Sequence, residues 1–439
     1  MIPGTPFTDS INRALSKAAG YSWIAIWMIA ANAQAADPAM VARGRYLAKV
    51  ADCVSCHTAG PDHPPFAGGL PINSPFGIIY STNITPDPIS GIGQYSYADF
   101  SRAVREGIAR DGRRLYPAMP YASFAATLDS DIQALYAYFM KEVKAVSHTP
   151  PQTRLPFPFN QRWTLMFWSA AFVNQKRYKP RADRDAQWNR GAYLVQTLGH
   201  CGACHTPRGL AYQEKGYSES SSDYLSGAVV DNWYAANLTG THASGLGRWS
   251  ETEISMFLET GHSGYAVAFG SMVTVIENST QHLRKEDLDA IAHYLKSLPA
   301  RKEKTSYKPY KPSAVPSKIV LTGAGSDQFE RPGAGLYAGF CAKCHGDSGT
   351  GKPPKIPRLG GNSMVLSEDA TSLIRQVLEG GKGPLTENGP KPKEMPSFEK
   401  KFTDRDIADV LTYVRNSWGN TATPVTPRDV SLLRKALRK

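Results

Sequence analysis

The chain has 439 residues, 41% hydrophobic and 20% charged, a composition that excludes long disorder and leaves room for about three domains of ~150 residues. Its formal net charge of +12 suits an anionic surface, whether nucleic acid, membrane or an acidic protein, and the sign alone does not choose among these.

At the N-terminus, Arg13 and Lys17 precede an apolar run from Tyr21 to Ala31, and the small residues of Ala33-Gln34-Ala35 follow. Basic, apolar, then small is the order of a secretory signal, so residues 1–35 are expected to be removed on export. The run is too short for a stable span, and no other stretch approaches about 20 apolar residues. Export sets nucleic acid aside and leaves a membrane surface or another exported protein as partner.

The six cysteines fall as Cys53-Val54-Ser55-Cys56-His57, Cys201-Gly202-Ala203-Cys204-His205 and Cys341-Ala342-Lys343-Cys344-His345. This is C-x-x-C-H three times with no cysteine left over, the pattern of covalent haem attachment. Each thiol adds to one haem vinyl group, and the two-residue spacing lets one turn of backbone present both. The adjacent histidine then meets the iron. Export agrees, because six exported thiols would otherwise be expected to pair as disulfides. One C-x-x-C could be a redox dithiol or half a zinc site, but three copies each followed by histidine would make a strange zinc protein. The expectation is three covalent haems c, held by Cys53, Cys56, Cys201, Cys204, Cys341 and Cys344, with His57, His205 and His345 as proximal iron ligands.

The motifs sit in three blocks, 36–147, 186–300 and 327–420. The first two share the openings Arg43-Gly44-Arg45-Tyr46-Leu47 and Arg190-Gly191-Ala192-Tyr193-Leu194. They also share a later phrase, Asn83-Ile84-Thr85 before Gly91-Ile92-Gly93-Gln94-Tyr95-Ser96, and Asn237-Leu238-Thr239 before Gly245-Leu246-Gly247-Arg248-Trp249-Ser250. The third block lacks this phrase. Each block closes on a helical pattern: Ile132, Leu135, Tyr136 and Phe139; Leu288, Ile291 and Leu295; Ile407, Val410, Leu411 and Val414 behind the capping pair Thr403 and Asp406. The predicted fold class is all-α, three tandem cytochrome c-type domains in which the haem supplies the apolar centre that so short a domain lacks. Proline-rich linkers join them: 148–185, with an aromatic stretch, and the basic 301–326. A basic tail, 421–439, follows.

An electron-transfer haem usually fills both axial positions, and methionine opposite histidine raises its potential. Met119 lies between Pro117 and Pro120, which bar a helix there, Met395 precedes Pro396, and Met272 falls just ahead of the second closing helix. These three are the expected distal ligands. Met140, Met166 and Met256 fit apolar helical patterns, Met364 is a rival in block three, and His262 and His282 are the rivals of Met272.

With these motifs in place, the chain resembles the three-haem cytochrome c subunits of membrane-bound periplasmic dehydrogenases. The resemblance rests on Arg43-Gly44-x-Tyr46-Leu47, Phe66-Ala67-Gly68-Gly69, Tyr80 to Asp87, Leu115 to Tyr121, Gly199 to Arg208 and Ser417-Trp418-Gly419-Asn420, nearly the whole chain. It implies a non-catalytic subunit beside a larger flavin- or quinoprotein dehydrogenase, with a small third subunit allowed. Electrons would pass through the haems to ubiquinone at the periplasmic face of the cytoplasmic membrane, with the gluconate 2-dehydrogenase type favoured. The alternatives are a multihaem peroxidase, which needs a vacant sixth site, or a free-standing electron carrier. No Rossmann glycine pattern lies between strand and helix. Two stretches suit peripheral membrane contact: Trp163 to Trp168, and the tail with Val430, Leu432, Leu433 and Leu437 among Arg434, Lys435, Arg438 and Lys439.

Overall fold

The computed structural model describes Met1 and residues 37–309 and 332–438. The expected signal segment and the end of the second linker lie outside the described residues.

The chain builds a helix–motif–loop–helix unit three times. In the first, α1 (Pro38–Val50) starts where the Asp37 side chain accepts from the Ala39 amide, with proline in the first turn. The hairpin β1 (Pro71–Ser74) and β2 (Gly77–Tyr80) follows, then α2 (Tyr97–Glu106) and α3 (Asp129–Lys141). On the linker, α4 (Leu165–Phe172) forms before the second unit begins with α5 (Ala186–Gln196). The second unit repeats the first with β3 (Ala228–Val230), β4 (Trp233–Ala235), α6 (Glu251–Thr260), the additional α7 (Ser271–Asn278), and α8 (Lys285–Lys296). The shared phrase ending in Ser96 and Ser250 is a pair of N-caps. Each serine closes a capping box, with Asp99 and Glu253, at the start of α2 and α6.

The opening phrase has an equally local purpose. α1 crosses α3 and α5 crosses α8 so closely that a Cβ on Gly44 would overlap the carbonyl of Ala134, and one on Gly191 that of Ala290. Only glycine permits this approach.

The third unit contains α9 (Ala334–Phe340), α10 (Thr371–Glu379), α11 (Asp404–Arg415) and α12 (Pro427–Leu437). Two minimal ladders complete it, β5 (Ser306–Tyr307) with β8 (Asn420–Thr421), and β6 (Gly381–Lys382) with β7 (Glu394–Met395). The molecule is therefore helix-rich, not strictly all-α. The loops between motif and closing helix must turn back on themselves, and they satisfy their backbone groups in short antiparallel pairs.

Units one and two are not separate beads. Leu47 and Ile132 of the first share one hydrophobic core with Leu194 and Leu288 of the second. The third unit keeps its own core around Tyr337, Ile407 and Trp418. It docks on the second through Trp249 Nε1 donating to Ser363 Oγ (3.2 Å) and the Tyr234 amide donating to Ser372 Oγ (2.7 Å).

The tail forms α12 and packs partly on its own unit. Val430 and Leu433 of α12 are buried in the third unit's core, and Arg434 donates to Asp404 and to the carbonyls of Glu399 and Phe402. Two of its apolar residues are thus spent on its own domain, while Leu432 is 57% exposed. Among the described residues no helix is long and apolar enough to cross a bilayer.

Candidate haem-binding site

The motifs form one-turn helices, Cys53–His57, Gly202–His205 and Ala342–His345. His57 Nδ1 lies 2.7 Å from the carbonyl oxygen of Thr82, His205 Nδ1 2.7 Å from that of Ala236, and His345 Nδ1 3.1 Å from that of Pro357. A carbonyl can only accept, so each Nδ1 carries the hydrogen and each Nε2 keeps its lone pair for a metal. Burial pushes the pKa of all three rings down and holds them neutral, as a metal ligand must be.

The backbone around each ring is fixed in the same way. The amides of Gly68, Gly227 and Gly351 donate to the carbonyls of His57, His205 and His345 at 2.7, 2.8 and 2.8 Å. Their φ values of 74°, 94° and 64° lie in the left-handed region, where glycine is favoured. The repeated Asn-x-Thr phrase braces the histidine acceptors. Asn83 Oδ1 accepts from the amide (2.9 Å) and hydroxyl (2.7 Å) of Thr85, and Asn237 Oδ1 accepts from those of Thr239 at the same distances. The residues just before these asparagines, Thr82 and Ala236, present the carbonyls that receive Nδ1–H.

No cysteine is in a disulfide. Burial raises the thiols of Cys53 and Cys201 to about 12 and that of Cys341 to about 11. Zinc binds thiolates, which these sites disfavour. Among the described residues no group of three or more His, Cys, Asp and Glu is arranged to hold a metal ion. The thiols fit thioether links to a haem far better than a zinc cage.

Units one and three also bring their expected methionine to the edge of a core. Met119, on the loop before Pro120, packs against the shared core, half-buried. Met395 lies on β7 against the third core, its sulfur 3.8 Å from Gln376 Nε2. Met272 lies in the first turn of α7. Of its rivals, His282 Nε2 faces the Glu277 carbonyl (3.1 Å). His262 is completely buried, with Nδ1 2.8 Å from the Pro354 carbonyl of the third unit and Nε2 without a hydrogen-bond partner. Met364 sits in the turn beside Ser363.

Reading the sequence alone missed the polar seam between units one and two. Tyr193 of unit two donates to Asp131 of unit one, which also holds Arg43. Tyr46 of unit one donates to Asp287 of unit two, which also holds Arg190 at 2.6 and 2.8 Å. The arrangement is reciprocal, and its only sequence signal was the repeated Arg-Gly-x-Tyr. Also missed were two buried carboxyls, Asp52 and Glu214, each pushed up to about 7 by burial, beside the first and second motifs. Ser55 Oγ donates to Asp52 at 2.6 Å, and Glu214 lies 4.0 Å from Arg208.

Thiol pairs, each followed by an oriented histidine, on a helical scaffold are the features of a c-type cytochrome. The cytochrome c family model matches residues 331–418. Over nine-tenths of its length the chain is similar to dehydrogenase subunits. It is 45% identical to the gluconate 2-dehydrogenase cytochrome c subunit of Pantoea cypripedii, covering 91% of this chain and 90% of that one. It is 43% identical to the cytochrome c subunit of the quinone-type alcohol dehydrogenase of Gluconobacter oxydans (strain 621H), covering 95% and 87%. It is 40% identical to the fructose dehydrogenase cytochrome subunit of Gluconobacter japonicus, covering 90% and 82%. The chain belongs to this family of dehydrogenase cytochrome c subunits.

Proposed function

We infer that this chain is the electron-transfer subunit of a membrane-bound dehydrogenase on the periplasmic face of the bacterial cytoplasmic membrane. The observation that carries the reading is the threefold recurrence of one arrangement: two thiols, and a histidine whose Nδ1–H is tied to a carbonyl. Three haems c bind through Cys53, Cys56, Cys201, Cys204, Cys341 and Cys344. His57, His205 and His345 hold the irons on one side, and Met119, Met272 and Met395 on the other. Bound haem c supplies one-electron chemistry, so a chain of three can take the electrons of a two-electron oxidation one at a time. The protein's own part is to fix each ring's orientation and to exclude water from the metal side.

The partner is a larger flavin- or quinoprotein subunit that oxidises a sugar acid, sugar or alcohol, gluconate first among them, and ubiquinone is the acceptor. A peroxidase would need an open sixth position, and each unit supplies a methionine for it. A second reading attaches to unit two alone. His262 shows the Nδ1-to-carbonyl arrangement of the motif histidines and an unpartnered Nε2, so it is the alternative to Met272.

The test has two parts. Intact mass of the exported protein should show three covalent haems. The catalytic subunit alone should reduce an artificial dye but not ubiquinone, and adding this chain should restore quinone reduction. A lone catalytic subunit that reduces ubiquinone at the full rate overturns the relay role.

A further inference from the structure

Resting on that reading of a membrane-side relay, we propose that α4 and the loop at Arg113–Arg114 form the face by which the protein sits on a bilayer, with a built site for anionic phospholipid head groups. The helix is pinned on its inner side. Trp168 Nε1 donates to the Ala211 carbonyl of unit two (2.9 Å), and its ring meets Tyr121 of unit one edge-on at 5.8 Å. The outer side is left bare. Trp163 is 62% exposed, Phe167 60% and Met166 46%, and the rings of Trp163 and Phe167 pack on each other at 6.1 Å. An outward, preassembled aromatic pair on a rigidly mounted helix is costly to keep in water and suits the head-group level of a membrane.

The charge beside it is of the matching sign. Arg113, Arg114 and Arg162 line a recess of about 290 Å³ whose other walls are Gly112, Trp163 and Met166. Arg162 is held in place, its guanidinium 4.0 Å over the Tyr116 ring and donating to the Arg114 carbonyl at 2.7 Å. The acid paired here is Asp111, 3.7 Å from Arg113, so the recess keeps a net positive charge. Guanidinium forks bind phosphate oxygens in pairs, and an apolar wall beside them takes the start of an acyl chain. The surface is a convex helix rimmed by arginine, complementary to an anionic lipid leaflet. The rival anchor, the tail, buries Val430 and Leu433 in the third unit and leaves Leu432 as its one strongly exposed large apolar side chain among the described residues.

Seating on this face turns the start of the loop that leads to Met119 toward the lipid. The loop with Arg113 and Arg114 runs on to Met119, and Tyr121 just beyond it supports Trp168.

The experiment is vesicle flotation of the full-length, haem-loaded protein, with phosphatidylcholine vesicles against vesicles of equal phosphatidylcholine and phosphatidylglycerol, at low and high salt. Trp163→Ser with Phe167→Ser should lower partitioning at least tenfold on both lipids. Arg113→Gln with Arg114→Gln should bring binding to anionic vesicles down to the phosphatidylcholine level and remove its salt dependence. All four residues lie outside the haem stations, and unchanged reduced-haem spectra verify that the variants are folded. Wild-type partitioning in folded variants, or loss of co-elution with the catalytic subunit while vesicle binding stays intact, overturns the proposal; the latter outcome makes the patch a subunit interface. Failure of the relay reading is separately visible, because it appears as no electron uptake from the dehydrogenase whatever the vesicles do.

Discussion

Replacing Tyr193 by phenylalanine removes one hydroxyl and tests whether the first two units are a single folding body. That hydroxyl donates to the fully buried Asp131 and accepts from the Leu128 amide at 3.3 Å. A hydrogen bond to a charged group contributes roughly 1.5–3 kcal/mol. Arg43 still faces the carboxylate afterwards, so the charge is not orphaned and the expected loss is about 2 kcal/mol, toward the lower end of that range. With a urea slope of about 3 kcal/mol/M, the unfolding midpoint should fall by about 0.7 M. The assay is equilibrium urea unfolding of the haem-loaded protein, followed by Soret absorbance and far-ultraviolet circular dichroism. One transition, covering the shared core, should move, and the transition of the third unit should stay in place. Tyr46→Phe should reproduce the shift through Asp287. If the first two units unfold in two resolved steps, or if the third unit moves as far as they do, the reasoning from a common core is wrong.

Acid should expose the same seam. Burial alone would raise the Asp287 carboxyl, but hydrogen bonds from Arg190 and Tyr46 outweigh it and hold the group below its ordinary range. A carboxylate depressed in the native state contributes stability above its unfolded pKa of about 3.9 and loses it as pH falls through the lower native value. Acid titration of the joint unit should therefore steepen below about pH 4, and Asp287→Asn should flatten it. Leu433→Ala should cost about 2–4 kcal/mol in the third unit alone, measured by urea unfolding, because its side chain fills that core. Met119→Ala should lower the potential of one haem in a redox titration, within the roughly 0.8 V that axial ligands span, and leave the other two near their wild-type values. In unit two, titrating Met272→Ala beside His262→Ala identifies the ligand as whichever substitution moves a potential.

The parts of this molecule that the sequence made legible are those whose chemistry is local. Covalent attachment requires two thiols and a histidine within one turn, so the motifs declare themselves. The closing helices follow from apolar spacing and caps, and Thr403 and Asp406 form the capping box expected of them. What stayed hidden depends on partners distant in the chain. Leu47 and Leu194 mark apolar faces by their spacing, but spacing does not say that the two faces share one core. The carbonyls of Thr82, Ala236 and Pro357 are backbone groups that no residue type announces. The tail read as amphipathic in either setting, since a face buried on a protein and one buried in lipid follow the same period. The short ladders, two to four residues per strand, are too brief to show alternation.

The reciprocal seam is the contact pattern of a twofold dimer, in which residue i meets j and j meets i. Two identical cytochromes so paired would offer an electron no reason to prefer either side. Joining the halves in one polypeptide lifts that constraint, because each can then change without its twin. The position ahead of the first cysteine shows the result. It is the buried acid Asp52 in one half and His200 in the other, where the imidazole Nε2 reaches across to within 3.3 Å of the Ala51 carbonyl. The two halves thus differ in the polar group ahead of the first cysteine, so a contact that is symmetric in shape joins two chemically unequal sites.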